Sequence, residues 1–258
     1  KPPPEVFKKL LSAFDCPVLP MRYESSELAK ISINMYLVSS VSTTNTLAEL
    51  CEEIGAEWSE IAPALRLDKR IGQFAYLSPG LGIAGGNLER DLATISSLSK
   101  EFGTDAGIVD AWTANSRYRC DWALRVAHQE ALSKAESPLV GILGIAYKQD
   151  TKSVKNSPSL ALIEGLGTTP MRAYDPQVII EKGKLPSNFT QVDSALEACR
   201  GVDVVILMTP WKEFYSADIG KMKSLMRGKT IIDPHSILNA DKCREAGLKY
   251  FRLGTGAS

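Results

Sequence analysis

Apolar residues recur near helical spacing through the first half of the chain. Residues 25–53 contain no helix breaker, and the apolar positions that begin at Leu28 and Ile31 predict one long helix that ends before Gly55. A second stretch, residues 104–135, contains no proline and predicts another helix, which would be about 45 Å long at 1.5 Å per residue. We therefore expect the first half of the chain to be all-helical.

A turn-rich segment, residues 71–87, separates these two predicted helices. It contains Pro79 and five glycines, Gly72, Gly80, Gly82, Gly85 and Gly86. Glycine has no side chain and therefore lets a backbone come close to another group. We expect this glycine loop to lie against another part of the molecule or against a ligand.

After Pro138 the pattern changes to short apolar runs separated by helix-like segments. The runs cover residues 139–146, 171–174, 204–208 and 230–232, and some of them are rich in β-branched residues. Strands that alternate with helices predict a parallel sheet covered on both faces. The expected fold class is therefore α/β, with an all-helical domain before a parallel-sheet domain and a boundary near residues 135–138.

Composition and charge exclude several classes of function. The chain has 30 Lys and Arg residues and 30 Asp and Glu residues, so its formal net charge is zero. A neutral chain without a basic stripe has little attraction for nucleic acid or for an anionic membrane surface. The longest apolar run, residues 204–208, is far shorter than the roughly 20 residues that span a bilayer. We expect neither nucleic acid nor a membrane as a partner.

The cysteines indicate a reducing compartment. There are five, widely spread and without a Cys-x-x-Cys pair, which argues against a disulfide framework and against a metal site. We expect reduced thiols and a cytoplasmic location. The chain opens Lys1-Pro2-Pro3-Pro4 without a signal-peptide pattern, so we also expect that it begins inside a longer protein.

Three polar residues of the helical half are candidates for chemistry. Lys30 and Asn34 are four residues apart and share one helix face, and Asp91 follows the glycine loop. An ammonium, an amide and a carboxylate that converge on one pocket can polarise a hydroxyl and accept its proton. Lone polar residues on helices are more often solvated, so spacing alone leaves both interpretations open.

The turn after the first predicted strand has two interpretations. The turn contains residues 144–148 and Lys155 and leads into a helix whose N-terminal amides suit a phosphate. Ligands of parallel sheets bind at the carboxyl ends of the strands, which is where this turn begins. Gly141-x-x-Gly144 is not the full dinucleotide fingerprint, however. The alternative is a structural turn with solvated lysines.

The motifs, taken in order, resemble those of the UDP-glucose/GDP-mannose dehydrogenase family over nearly all 258 residues. The series is Glu27-Leu-Ala-Lys30-x-x-x-Asn34, Asp68-Lys-Arg70-Ile-Gly72, Pro79-Gly80-x-Gly82-x-x-Gly85-Gly86-Asn87-x-x-x-Asp91, Gly144-x-Ala-Tyr-Lys148-x-x-Thr151, Ser157-Pro158, Tyr174-Asp175-Pro176, Thr209-Pro210-Trp211-x-x-Phe214 and Ile232-Asp233.

This resemblance implies a domain organisation. The family has an N-terminal NAD-binding Rossmann domain, a central helical dimerisation domain and a C-terminal Rossmann-like domain that helps to bind a nucleotide sugar. Residues 25–137 resemble the second and residues 138–258 the third. Residues 1–24 are then the segment that leads out of a missing NAD-binding domain, and we expect a homodimer formed through the central helices.

The resemblance also implies an activity, the NAD-linked oxidation of C6 of a nucleotide sugar from alcohol to acid, as used in polysaccharide biosynthesis. It assigns Lys30 to the developing oxyanion, Asn34 to the catalytic water and Asp91 to proton transfer. Asn87 stands where the family has its catalytic cysteine, and an amide cannot form the covalent thiohemiacetal. Asn87 is either an introduced substitution or natural divergence, and the unusual residues 86–90 around it favour divergence.

Further site residues follow from the same resemblance. It assigns Arg70 to a substrate contact across the dimer and Lys148 to a place near the sugar. Lys155 and His235 stand where arginines contact the NAD pyrophosphate and the substrate, and neither can form the forked contacts of arginine. The nucleotide-lining loop supplies three more candidates, Tyr76, Leu77 and Gly82.

Three hypotheses of function remain open at this point. The chain is part of an NAD-dependent nucleotide-sugar dehydrogenase, or it is a catalytically impaired homologue that binds a nucleotide sugar or serves as a regulatory subunit. The third hypothesis is a single oxidation that stops at the aldehyde. The motifs do not distinguish a UDP-sugar from a GDP-sugar.

Overall fold

A computed structural model describes residues 4–181, 183 and 185–256. Ten α-helices and six strands occur within these ranges. In chain order they are α1 (Glu5–Leu11), α2 (Tyr23–Ile54), α3 (Trp58–Leu67), α4 (Asn87–Phe102), α5 (Gly107–Cys120), α6 (Trp122–Glu130), β1 (Val140–Leu143), α7 (Pro158–Gly165), β2 (Met171–Tyr174), β3 (Phe189–Gln191), α8 (Ala195–Ala198), β4 (Val204–Leu207), α9 (Ile219–Leu225), β5 (Thr230–Ile232), α10 (Ala240–Glu245) and β6 (Lys249–Phe251).

The long helix α2 confirms the first periodic pattern. It begins two residues before the predicted start and ends at Gly55, which has a φ of +75° and donates its N–H to the carbonyl of Cys51. A left-handed residue at this position suits glycine and closes the last turn. Helices α4 and α5 pack against α2, and Val38 lies at the centre of that contact with Leu92 and Val109.

The single long helix predicted over residues 104–135 is wrong. The chain forms α5 and α6 instead, separated by a turn at Asp121, and a short 3-10 turn follows at Leu132–Lys134. The two helices bury their apolar faces in different places. Val109 of α5 packs with α2 and α4, whereas Trp122 and Ala127 of α6 belong to the core of the sheet. One straight helix could not bury its first half against α2 and α4 and its second half in the core of the sheet.

The sheet is parallel, in the order β3-β2-β1-β4-β5-β6. The four predicted apolar runs became β1, β2, β4 and β5, and β1 and β4 at the centre are buried along their whole length. Leu143 pairs with Tyr174 on one side and with Leu207 on the other, so the carboxyl ends of these strands align. The outer strands β3 and β6 were not predicted. They are three residues long and only partly buried, so they carry no continuous apolar run.

A buried ionic network joins α2 to the helices α5 and α6 and to the end of the chain. The side chain of Arg119 is fully buried and lies 3.4 Å from Glu49 and 3.2 Å from Glu52. Glu52 also accepts hydrogen bonds from the indole of Trp122, at 2.8 Å, and from the backbone N–H of Gly254, at 2.8 Å. The network therefore fixes the helices against the sheet.

In the parts of the chain that the structure describes, no helix combines the length and the apolar character needed to cross a bilayer. In the same ranges, no three His, Cys, Asp or Glu side chains form a group that could hold a metal ion.

Replacing Arg119 by methionine tests the network. Arg119→Met leaves two carboxylates facing each other in a largely buried place, and we expect a loss of about 3 kcal/mol in the free energy of unfolding, measured by urea denaturation. Arg244→Met removes an exposed arginine that pairs with Asp241 and should cost less than about 0.5 kcal/mol. Equal losses in the two variants would contradict a stabilising role for the network.

Candidate functional site

Lys30 and Asn34 of α2 converge on Asp91 of α4. Lys30 Nζ and Asn34 Nδ2 each donate to Asp91 Oδ2 at 2.6 Å. The four-residue spacing places both donors on one face of α2, and the packing of α4 against α2 brings the carboxylate to them. The three residues therefore form one cluster, which we call the Lys–Asn–Asp cluster.

Asp91 is held in its ionised form. Its other oxygen accepts from Arg90 Nε and Nη2, each at 3.2 Å, and its side chain is only 5% exposed. The hydrogen bond from Lys30 is the largest cause that lowers the pKa of Asp91, and those from Asn34 and Arg90 act in the same direction against the effect of burial. The carboxylate therefore serves to hold the ammonium of Lys30 in place.

Asn87 lies at the edge of the same pocket. It is exposed and is the first residue of α4, whose N-cap Gly86 provides no side-chain cap. Lys155 of the sheet region lies close to Gly86, since a Cβ added at Gly86 would be 2.9 Å from Lys155 Nζ. A cavity of about 490 Å³ is lined by the residues Lys30, Asn34, Ala84, Gly85, Gly86, Asn87, Leu88, Arg90 and Tyr147. We call it the cluster cavity.

A second cavity, of about 450 Å³, adjoins the first. Its lining includes Tyr76 and Gly82 of the glycine loop and Lys148 and His235 of the sheet region. The two cavities share the residues Ala84, Leu88 and Tyr147. The structure therefore brings four residues predicted for the substrate together, directly beside the Lys–Asn–Asp cluster. We call this space the loop cavity.

His235 presents a neutral ring. Its Nε2 lies 3.2 Å from the carbonyl oxygen of Met208, and its backbone N–H donates to Asp233. Burial lowers the pKa of His235 below its ordinary value of 6.5. His235 therefore brings no positive charge to the loop cavity at neutral pH.

Arg70 and Leu77 do not line either cavity. The side chain of Arg70 is 90% exposed, and its guanidinium donates two hydrogen bonds to Asp68 of the same turn, at 3.1 and 2.7 Å. Leu77 is buried in a small core with Trp58, whose indole donates to the Leu77 carbonyl at 2.8 Å.

The glycine loop makes close approaches, as its composition predicts. A Cβ at Gly82 would lie 2.4 Å from the carbonyl oxygen of Ser116, and one at Gly85 would lie 3.1 Å from the ring of Tyr147. Both glycines have positive φ, so a side chain would be strained there as well as crowded.

The turn after β1 is mainly structural. Gly144 has a φ of +97°, and a Cβ there would lie 2.4 Å from the side chain of Thr209. The N–H groups of Ile145 and Ala146 both donate to Asp175, at 2.6 and 3.0 Å. These two amides are occupied by a carboxylate of the protein and are therefore not available to a phosphate.

Sequence reasoning missed two residues that join the sheet region to the pocket. Tyr147 lines both cavities, and Asn156 donates to the carbonyl of Gly85 at 3.1 Å and to the carboxylate of Glu89. The position of Tyr147 directly after a predicted strand was the available signal, whereas Asn156 lies ten residues beyond that strand and carried none. Cys120 lies at the end of α5, and burial raises the pKa of its thiol, so it is not an activated nucleophile.

The chain matches two sequence models of one protein family. Residues 24–117 match the central domain of the UDP-glucose/GDP-mannose dehydrogenase family, and residues 141–240 match that family's UDP binding domain. Together with the fold, these matches identify the class of protein as the nucleotide-sugar dehydrogenases. The chain belongs to the UDP-glucose/GDP-mannose dehydrogenase family.

Individual relatives agree with this assignment. UDP-glucose 6-dehydrogenase of Rickettsia bellii is 30% identical over 90% of this chain and 54% of its own length. UDP-glucose 6-dehydrogenase TuaD of Bacillus subtilis is 27% identical over 98% of this chain and 55% of its own length. The chain thus spans about half the length of the curated relatives it matches.

A solved structure shows the same fold. The UDP-glucose dehydrogenase of the hyperthermophilic archaeon Pyrobaculum islandicum superposes with a TM-score of 0.82 and 25% identity, over 98% of this chain and 56% of that one.

Lys30→Met tests the electrostatics of the cluster. Without the ammonium, the pKa of Asp91 should rise, and ¹³C NMR titration of the carboxyl group measures this shift. A depressed pKa stabilises the fold above the unfolded-state value of about 3.9, and that contribution is lost as the pH falls through the folded-state pKa. In Lys30→Met, the loss of this contribution to stability on acidification should begin at a higher pH than in the wild type.

The control for this titration is Lys221→Met, which removes a lysine that pairs with Asp218 far from the cluster. It should leave the pKa of Asp91 unchanged. An unchanged pKa in Lys30→Met would show that the ammonium does not hold the carboxylate.

Proposed function

We propose that this chain binds a UDP- or GDP-sugar and forms the substrate-binding part of an NAD-dependent dehydrogenase that oxidises C6 of the sugar to the uronic acid. The observation that carries the proposal is the position of the Lys–Asn–Asp cluster beside the loop cavity. A nucleotide in the loop cavity would direct its sugar toward Lys30. The family assignment and the UDP-glucose dehydrogenases among the relatives support the same substrate class.

Lys30 has the geometry to stabilise an alkoxide. One N–H of its ammonium is directed at Asp91, and the Lys30 side chain is 59% exposed and lines the cluster cavity, so the remaining N–H groups are available to a substrate oxygen. Asn34 uses its amide nitrogen on Asp91, and its carbonyl oxygen is an acceptor for a water molecule or a sugar hydroxyl. Asp91 keeps both donors in place.

NAD would supply the hydride acceptor. Among the described residues, the one assigned to the NAD pyrophosphate is Lys155, whose ammonium lies close to Gly86 of the cluster cavity. A Cβ at Gly141 would lie 2.5 Å from the Ala198 carbonyl oxygen and one at Gly144 would lie 2.4 Å from the Thr209 side chain, so these two glycines serve packing within the protein. The proposal therefore assigns the remainder of the NAD site to a further part of the protein.

We also propose how the chain divides into domains and how it assembles. Residues 25–137 form the central helical domain, residues 138–258 form the nucleotide-sugar-binding domain, and residues 1–24 lead into them. A homodimer forms through the central helices. Exposed apolar residues on α2, among them Ile33, Tyr36 and Leu50, support such a contact.

A second candidate function is favoured by position 87. Asn87 is exposed at the edge of the cluster cavity, and a carboxamide does not attack an aldehyde, so no covalent intermediate forms there. The neutral ring of His235 also favours this second function. In this alternative the chain binds a nucleotide sugar without oxidising it, or supports only the first oxidation. The yield of NADH per nucleotide sugar in a protein with its NAD site separates the cases, since it is two, none or one.

Calorimetry with UDP-glucose and with GDP-mannose tests the binding proposal. We expect the 258-residue chain to bind one of the two saturably. His235→Phe removes a polar group from the lining of the loop cavity and should weaken that binding about tenfold, which corresponds to about 1.4 kcal/mol.

The matched control is His128→Phe, which changes an exposed histidine on α6 outside the loop cavity. Its affinity should equal that of the wild type. If a folded chain bound neither nucleotide sugar, the substrate proposal would be wrong.

A thiol introduced at position 87 tests whether the pocket can support a nucleophile. In Asn87→Cys the new sulfur would lie at the N-terminus of the 16-residue helix α4 and near Lys155, and both favour a thiolate. We expect alkylation by iodoacetamide at pH 7 to be several-fold faster than at the exposed Cys16, measured peptide by peptide by mass spectrometry. Adding Lys155→Met should slow it. A rate no faster than that of Cys16 would argue against an activating pocket.

A further inference from the structure

The wall of the loop cavity includes a segment without regular structure. Residues 76–83 lie in neither a helix nor a strand, yet Tyr76 and Gly82 both border the cavity. A segment without ladder hydrogen bonds keeps one shape only if other groups fix its backbone. The groups that do so here come from three different helices.

Asn45 of α2 fixes the middle of the segment. Its side chain is almost completely buried, at 1% exposed, and its Oδ1 accepts the backbone N–H of Gly80 at 2.8 Å. Its Nδ2 is also buried and has no hydrogen-bond partner among the described residues. A buried amide with an unpaired donor is unfavourable for stability, and an apolar side chain of similar size would avoid that cost. Packing alone therefore does not account for an asparagine at this position.

Ser116 of α5 fixes the end of the segment. Its Oγ accepts the backbone N–H of Ile83 at 2.7 Å. The contact is close, because a Cβ at Gly82 would lie 2.7 Å from that Oγ and 2.4 Å from the Ser116 carbonyl oxygen. At the start of the segment, the indole of Trp58 in α3 donates to the carbonyl of Leu77.

We propose that Asn45 and Ser116 are positioning residues for nucleotide-sugar binding, because each accepts one backbone N–H of residues 76–83 and holds that segment in its binding shape. The inference rests on the proposed function for its ligand but not for its geometry. Neither residue lines the loop cavity, so their effect reaches the ligand through residues 76–83. A segment ordered in advance loses less conformational entropy on binding.

Hydrogen exchange of the unliganded chain tests the geometry. The amides of Gly80 and Ile83 should exchange slowly in the wild type. Asn45→Leu should release Gly80, and Ser116→Ala should release Ile83. Asn45→Asp keeps an acceptor for the Gly80 N–H and replaces the unpartnered amide donor by a second carboxylate oxygen, at the cost of a buried charge, so Gly80 should stay protected in the folded variant. Thr113→Ala is the matched control, since that hydroxyl bonds to Val109 within α5 and not to the loop.

Calorimetry with UDP-glucose and GDP-mannose tests the consequence. Asn45→Leu and Ser116→Ala should each weaken the binding seen in the wild type about tenfold, with rescue by Asn45→Asp and no effect of Thr113→Ala. A purely structural role predicts loss of folding in Asn45→Leu without rescue of affinity. Ser116→Ala removes a single oxygen and tests the proposal even if Asn45→Leu does not fold.

The outcomes separate this inference from the proposed function. Faster exchange together with weaker binding supports the inference. Unchanged exchange in both variants overturns it, and so does faster exchange with wild-type affinity, while the substrate proposal stands. If the wild type binds neither nucleotide sugar, the proposed function fails, and with it the binding role of the loop.

Discussion

The carboxylate of Glu52 fixes the long helix α2 to the rest of the molecule. It accepts hydrogen bonds from Arg119, from Trp122 and from the backbone of Gly254, which belong to α5, to α6 and to the end of the chain. A carboxylate that is only 14% exposed is tolerated because these donors surround it. Since α2 also carries Lys30 and Asn34, the direction in which those side chains point depends on Glu52, which lies about six helical turns from Lys30 and about five from Asn34.

The candidate site consequently belongs to two regions at once. Helices α2 and α4 provide the charged cluster, and the turn after β1 provides Tyr147 and Lys155. Asn156 ties that turn to the glycine loop through the carbonyl of Gly85. A shift of the sheet against the helices would open both cavities together, because Tyr147 lines both of them.

Periodicity predicted the elements whose faces are uniform, and it failed where the environment changes along one element. Helix α2 and the central strands have regular apolar patterns. The break at Asp121 has no such signal, because spacing does not show that α5 and α6 face different cores. For the site, the spacing of Lys30 and Asn34 gave one shared face and the family resemblance grouped Asp91 with them, and the packing of α4 against α2 shows the contact itself. Asn45 resembles any solvated polar residue of a helix until its burial is known.

The loop glycines differ in how freely they can vary. Gly82 is confined by the backbone of Ser116, whereas a Cβ at Gly80 would meet no atom within 4 Å, and the φ of Gly80 is not in the left-handed region. Both residues border the loop cavity. Position 80 can therefore accept a new side chain that changes ligand preference, by evolution or by design, whereas position 82 cannot. A new side chain at position 80 can reach a ligand without breaking the hydrogen bond to Asn45, since Asn45 accepts only the backbone N–H of that residue.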